Sequence, residues 1–182
     1  MENSSKLYQL TDEDKVTPVM VYTDTTLLTG EVVTKNLIRV STWPRTPMMP
    51  QYITLYSALL IDMAPMGGAR QMQFQELYVP FSNAIAFHIR PPASDPLDYD
   101  PNEPMRKMEP VTALVGPFQF DGSIRMSSQT NLIKYLDVNK EIFTSLYDIE
   151  ITPLGTGAMK PFHVPYALLR RDEILFSIRH AG

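Results

Sequence analysis

Residues 19–33 read VMVYTDTTLLTGEVV, and residues 111–125 read VTALVGPFQFDGSIR. Set one above the other, Gly30 falls on Gly122, with apolar residues on alternate sides of each. The agreement continues downstream in the same order. Leu55-Tyr56 of ITLYSALLIDMAPMGGA (53–69) fall on Leu146-Tyr147 of TSLYDIEITPLGTGA (144–158), and Pro65 falls on Pro153. Val79-Pro80 match Val164-Pro165, and AFHI (86–89) matches LFSI (175–178). The offset drifts only from 92 to 85 to 89 residues. One matching pair arises readily by chance; an ordered series predicts an internal duplication.

Each copy contains four or five strand-like segments. In the first they lie at about 18–24, 26–34, 51–63, 71–80 and 84–90, rich in Val, Ile, Leu, Tyr and Phe and separated by Gly, Asp, Pro or Asn. A glycine inside a strand marks a sharp bend or a close backbone approach. In a five-stranded barrel the second strand must bend to belong to both sheets, which suits Gly30 and Gly122. Between the second and third strands the first copy has STWPRTPMMPQY (41–52) and the second QTNLIKYLDVNKE (129–141), where a helical turn capped by Thr or Asn is expected. Counting from the glycines, Trp43 falls on Tyr135, so each copy carries one aromatic here, as a cap on a small barrel would.

The expected fold is therefore all-β, two tandem five-stranded small β-barrels. Residues 1–15 form an N-terminal segment, 16–90 the first barrel and 111–182 the second. Residues 91–110, PPASDPLDYDPNEPMRKMEP, hold six prolines and five acidic against two basic residues, which reads as an extended linker or a strap packing Leu97, Tyr99 and Met105. The cores are expected to include Leu55, Tyr56, Val79 and Phe87, with Leu146, Tyr147, Val164 and Phe176, one member of each Leu-Tyr pair being less buried.

A strand, a bent strand with one glycine, a loop or helical turn and then a long strand resembles the Sm-like and SH3-like small barrels. More closely, T-G-E-V-V (29–33), R-V-S-T-W (39–43) and I-T-L-Y-S-A (53–58) resemble an uncharacterised bacterial small-barrel family. That family has R-x-S-D-x-L-N after its glycine-bearing strand. Arg39 and Ser41 match, Thr42 and Pro44-Arg45 depart, and in the second copy only Tyr135-Leu136-Asp137 is close. The resemblance spans roughly 40 residues per copy and implies a fold rather than an activity.

Several chemistries find no sequence support. There is no cysteine, so disulfides, thiolate metal sites and cysteine nucleophiles are excluded. His88, His163 and His180 lack metal-ligand spacing, and no metal, cofactor or catalytic residue is expected. GTGAMK (155–160) lacks the phosphate-cradling spacing, and no G-x-S-x-G elbow occurs. The acidic clusters DED (12–14) and RRDE (170–173) read as solvated turns. The N-terminus lacks the basic start and apolar core of a signal peptide, and no apolar run approaches a membrane span. The expectation is a cytoplasmic, non-enzymatic protein.

Two functional readings remain. In the first, the chain is an assembly module that binds a protein partner or itself. Small barrels have open edge strands, and Trp43, Arg45, Met48 and Met49, with Tyr135 in the second copy, offer a stiff apolar contact. In the second, the chain is an Sm-like binder in which Trp43 with Arg39 and Arg45, and Tyr135 with Lys134, stack and neutralise a nucleic acid or nucleotide. The net charge of −4 weighs against the second: residues 1–90 carry seven basic and eight acidic side chains, and residues 111–182 seven of each.

Overall fold

The computed structural model describes residues 8–47, 49–63, 70–155 and 159–178. The chain is all-β. The first half contains β1 (Asp14–Tyr22), β2 (Thr26–Lys35), a 3₁₀ turn (Val40–Arg45), β3 (Tyr52–Asp62), β4 (Arg70–Pro80) and β5 (Ala86–Ile89). The second contains β6 (Arg106–Val115), β7 (Phe118–Ser127), α1 (Leu132–Val138), β8 (Phe143–Pro153), β9 (Phe162–Arg170) and β10 (Leu175–Ser177). Short 3₁₀ turns precede β5 and β10.

All ten strands join one antiparallel sheet in the order β10-β6-β7-β8-β9-β5-β1-β2-β3-β4. Within each half the order is the same, the fifth strand lying beside the first. The halves meet where β5 pairs β9. The sheet is not closed: β4 and β10 are its two ends. Two separately closed barrels are thus not what the strand pairing describes, because β5 is committed to β1 on one side and to β9 on the other.

The register explains the paired glycines. Val19 faces Gly30 and Val111 faces Gly122. Both ladders shift beside the glycine, between Thr29 and Glu31 and between Asp121 and Ser123. The partner strand supplies the left-handed residue in each case, Ser57 (φ 49°) and Asp148 (φ 51°). The glycines are needed for closeness: a Cβ on Gly30 would lie 3.0 Å from the Tyr56 carbonyl oxygen, and one on Gly122 2.9 Å from that of Tyr147. Gly116 differs. It sits at φ +52° in a two-residue hairpin with Pro117, where a left-handed residue matches strand twist.

The same register corrects one repeat match. Ile53 faces Val79, whereas Thr144 faces Leu169 and Val164 faces Ile149. Val79 therefore corresponds to Leu169, and the Val-Pro identity at 164–165 is coincidental. The matches of Leu55-Tyr56 with Leu146-Tyr147, and of Phe87 with Phe176, agree with the register. Pro65 lies outside the described residues.

Two strands start earlier than expected. β1 begins at Asp14, within the segment assigned to residues 1–15, and β6 begins at Arg106, within the linker assigned to 91–110. Prolines disguised both. Pro18 and Pro110 occupy equivalent places, opposite Glu31 and Ser123. The Pro18 carbonyl accepts from Arg90 N–H on the side away from β2, so its donorless nitrogen also faces away from β2 and breaks no rung of that ladder.

Apolar residues gather in two clusters. One holds Val19, Val21, Leu28, Val40, Trp43, Ile53, Leu55, Val79 and Phe87, all from the first half. The other holds Phe118, Phe120, Ile124, Leu146, Ile149, Val164 and Leu169 of the second half, together with Met20, Tyr22, Leu27, Ile85 and Ala86 of the first. Of the expected core residues, Leu55, Val79, Phe87, Leu146, Tyr147 and Val164 are buried, while Tyr56 and Phe176 are half-buried.

Candidate functional site

The β5–β9 joint is built from backbone pairing and from Arg170. Ala86 faces Leu169 and Phe87 faces Leu168, all four fully buried. Arg170 N–H donates to the Ile85 carbonyl (2.8 Å), and its guanidinium donates to the carbonyls of Ala84 (2.9 Å) and Phe81 (2.7 Å). The same guanidinium lies over the rings of Phe81 and Phe143, which stack 5.4 Å apart. His88 of β5 is fully buried. Its Nδ1–H donates to the Ile89 carbonyl (2.8 Å), which leaves Nε2 to accept from the Tyr22 hydroxyl (2.9 Å). Burial lowers its pKa to about 4, so the ring is neutral, and burial likewise raises that of Tyr22.

The segment between the halves docks as a strap. Asp95 accepts Ser41 N–H (2.9 Å), and Asp98 accepts the hydroxyls of Tyr147 (2.8 Å) and Tyr166 (3.1 Å). Burial first, then the Asp98 carboxylate, pushes both phenols well above their ordinary pKa, keeping them protonated donors. Tyr99 packs edge-on to Tyr147 at 5.1 Å and carries Arg125 over its face at 4.5 Å. Leu97 and Met105 are exposed. The strap is thus held by carboxylates and a tyrosine rather than by its aliphatic residues.

These contacts decide where the residues singled out from sequence stand. Trp43 is 7% exposed and belongs to the first core, so its ring is not presented to solvent. Arg45 donates to Ser145 Oγ (2.9 Å) and to Glu141, and lies 3.7 Å from Asp98. Arg39 donates to Ser41 Oγ and to the Pro96 carbonyl. Both arginines are therefore engaged within the chain. Tyr135 is half-buried against the second core, with its hydroxyl on Thr144 (2.9 Å), while Lys134 is exposed on α1, whose N-cap Asn131 accepts the Lys134 N–H. The structure does not bring Trp43 and Tyr135 together; each lies against its own core. Met49 packs partly on the first core, and Met48 lies outside the described residues. What the loop does form is a groove of about 540 Å³ across the joint, with Pro44, Arg45, Pro47 and Met49 on one wall and Ile142 and Phe143 on the other.

The remaining surfaces are the two ends of the sheet. β4 presents exposed Met72, Phe74 and Tyr78, and β10 presents Leu175, with Leu114 of β6 beside it and Ile178 just beyond. Large apolar side chains on open strand edges are what soluble proteins ordinarily avoid. Sequence reading passed over these residues. The available signal was the apolar pair Leu175-Phe176 and Ile178 in a very short final strand.

Among the described residues no three His, Asp or Glu side chains are grouped to hold a metal, and no helix is long and apolar enough to cross a membrane. In comparisons with known proteins, the chain matches no family model, no curated protein and no solved structure.

Proposed function

We propose that this chain is a non-enzymatic assembly module, built from two duplicated five-stranded halves with a strand order like that of Sm-like or SH3-like small barrels, that associates with protein through its sheet edges. The observation carrying this reading is the β5–β9 joint: within one chain, the fifth strand of one half already adds to the fourth strand of the other. An edge that pairs in this way once is chemically fit to do so again, since main-chain donors and acceptors supply the affinity. The exposed apolar residues of β4 and β10 support the same reading. The groove lined by Pro44, Arg45, Met49, Phe81 and Phe143 offers a second protein contact.

The nucleic-acid reading receives no comparable support. It needs an exposed aromatic with free cations, whereas Trp43 is buried and Arg39 and Arg45 are spent on the strap and the second half. Purification from the native source at gentle ionic strength tests the choice. A self-assembly, or a protein in fixed ratio with the chain, is the expected companion. Nucleic acid that co-purifies and is lost on raising salt would overturn the proposal.

A further inference from the structure

The second half does not complete its own core. Met20, Tyr22, Leu27, Ile85 and Ala86 enter it from the first half, along the edge where β5 meets β9. The first half has the corresponding edge, β4, and no strand among the described residues covers it. At that edge lies an open pocket of about 520 Å³, lined by Leu77, Tyr78 and Val79 of β4 with Leu28 and Leu60, and on its polar side by the Thr23–Thr26 turn, Ser82, Asn83 and Glu173.

The other end of the chain carries the missing complement. β10 lies on β6 as β5 lies on β1: Phe176 faces Ala113 where Phe87 faces Val21, and Leu175 faces Leu114 where Ala86 faces Tyr22. Leu175 and Leu114 therefore stand where Ala86 and Tyr22 stand. The latter two are fully buried; the former are 72% and 37% exposed.

We propose that a second copy of this chain docks head-to-tail, β10 of one copy adding antiparallel to β4 of the next. The internal joint sets the register. Ala86 faces Leu169 and Phe87 faces Leu168, so Leu175 should face Val79 and Phe176 should face Tyr78, with Leu175 and Leu114 entering the open pocket. This rests on the assembly reading and names its partner. Because the two surfaces differ, the contact is heterologous and propagates into a ring or a filament.

The joint between copies is weaker than the one within the chain. Pro80 stands where Arg170 stands, so the Arg170 N–H bond to Ile85 and both guanidinium bonds have no counterpart. Met20 and Leu27 are replaced by Thr112 and Gln119, which makes the inserted surface more polar. Assembly should accordingly fall apart on dilution, while the internal joint persists.

The test uses sedimentation velocity across a dilution series on the full chain and on Leu175→Lys and Tyr78→Lys, both at exposed positions (Tyr78 is 58% exposed). Each variant alone should be monomeric, and their equimolar mixture should give a dimer, since each supplies the surface the other lacks. A dimer of either variant alone would mean a symmetric contact and would overturn the proposal. Wild-type chain that stays monomeric throughout would also overturn it, leaving the assembly reading to the native-source purification. An oligomer unaffected by both substitutions would refute edge association altogether. The chain has no cysteine, so the register is checked independently by oxidising a mixture of Leu175→Cys and Val79→Cys. A crosslinked heterodimer is expected; exclusive Leu175→Cys homodimers would contradict the head-to-tail arrangement.

Discussion

Gly122→Ala inserts one methyl group where the backbone of β8 leaves no room. The new Cβ would lie 2.9 Å from the Tyr147 carbonyl oxygen and 3.0 Å from both Ile149 Cγ1 and Leu146 Cγ. Carbon atoms are comfortable at about 3.5–4.0 Å, so each contact is roughly 0.5 Å too short. Leu146 and Ile149 are fully buried and cannot swing aside. Overpacking of this kind costs about 1–3 kcal/mol. Against it stands a gain of about 0.4–1 kcal/mol from stiffening the unfolded chain, since Gly122 has no left-handed φ to lose. The net expectation is a loss of roughly 1–2 kcal/mol, which in a chain of this size lowers Tm by about 2–8 °C. Gly30→Ala should lose less, because its contacts are 3.0, 3.1 and 3.4 Å. Gly155→Ala is the control: nothing lies within 4 Å of its Cβ, so its stability should hold or rise slightly. Urea denaturation midpoints and thermal melts decide the matter. A Gly122→Ala protein as stable as Gly155→Ala would refute the close-approach account of the paired glycines.

Three further outcomes follow from the joint, the strap and the core. His88 has a folded-state pKa of about 4 against about 6.5 unfolded, so the unfolded chain binds the extra proton between these values. Its contribution is intact above pH 6.5 and is lost as pH falls toward 4, at up to about 1.4 kcal/mol per pH unit; urea midpoints should show this slope and His88→Gln should flatten it. Asp98→Ala strips the acceptor from two phenols at the strap, costing about 1–3 kcal/mol, and limited proteolysis should then cut between residues 91 and 105 faster than in wild type. Trp43→Ala empties a packed core site and should cost about 3–5 kcal/mol, while wild-type tryptophan emission should be blue-shifted and unmoved by single-stranded oligonucleotides.

Local chemistry was readable in the sequence wherever one strand and its turn decide the outcome. The glycine in β2 and in β7, the Leu-Tyr pairs of β3 and β8, and the Asn-capped turn at α1 all carry short-range signals that the structure repeats. Three things escaped for physical reasons. The start of β6 hides among prolines and charges because Pro110, like Pro18 in β1, sits inside a strand where proline ordinarily signals a linker. The correspondence of Val79 with Leu169 is set by hydrogen-bond register, which residue identity does not report. The β5–β9 joint pairs strands some 80 residues apart in sequence, and a buried four-residue strand such as Ala86–Ile89 looks the same whether one neighbour or two cover it. Edge strands were expected as contacts, but their residues were not named for a related cause: Trp43 and the arginines stand out as residue types, while which apolar residues lie on the edges is visible only once strand order is known.

The ownership of the two cores has a consequence for how the chain comes to be folded. The first cluster draws its buried residues from the first half alone, whereas the second needs five side chains that the first half holds out to it. The first cluster is complete without the second half, and the half that holds it is synthesised first. The N-terminal half leaves the ribosome first with all the buried residues of its own cluster in hand, so β5 is made before β9 exists. The C-terminal half, emerging later, needs Tyr22, Ile85 and Ala86 from that first half to fill its core. Reversing the order of the halves by circular permutation would leave every native contact available but would ask the dependent half to wait, exposed, for its support.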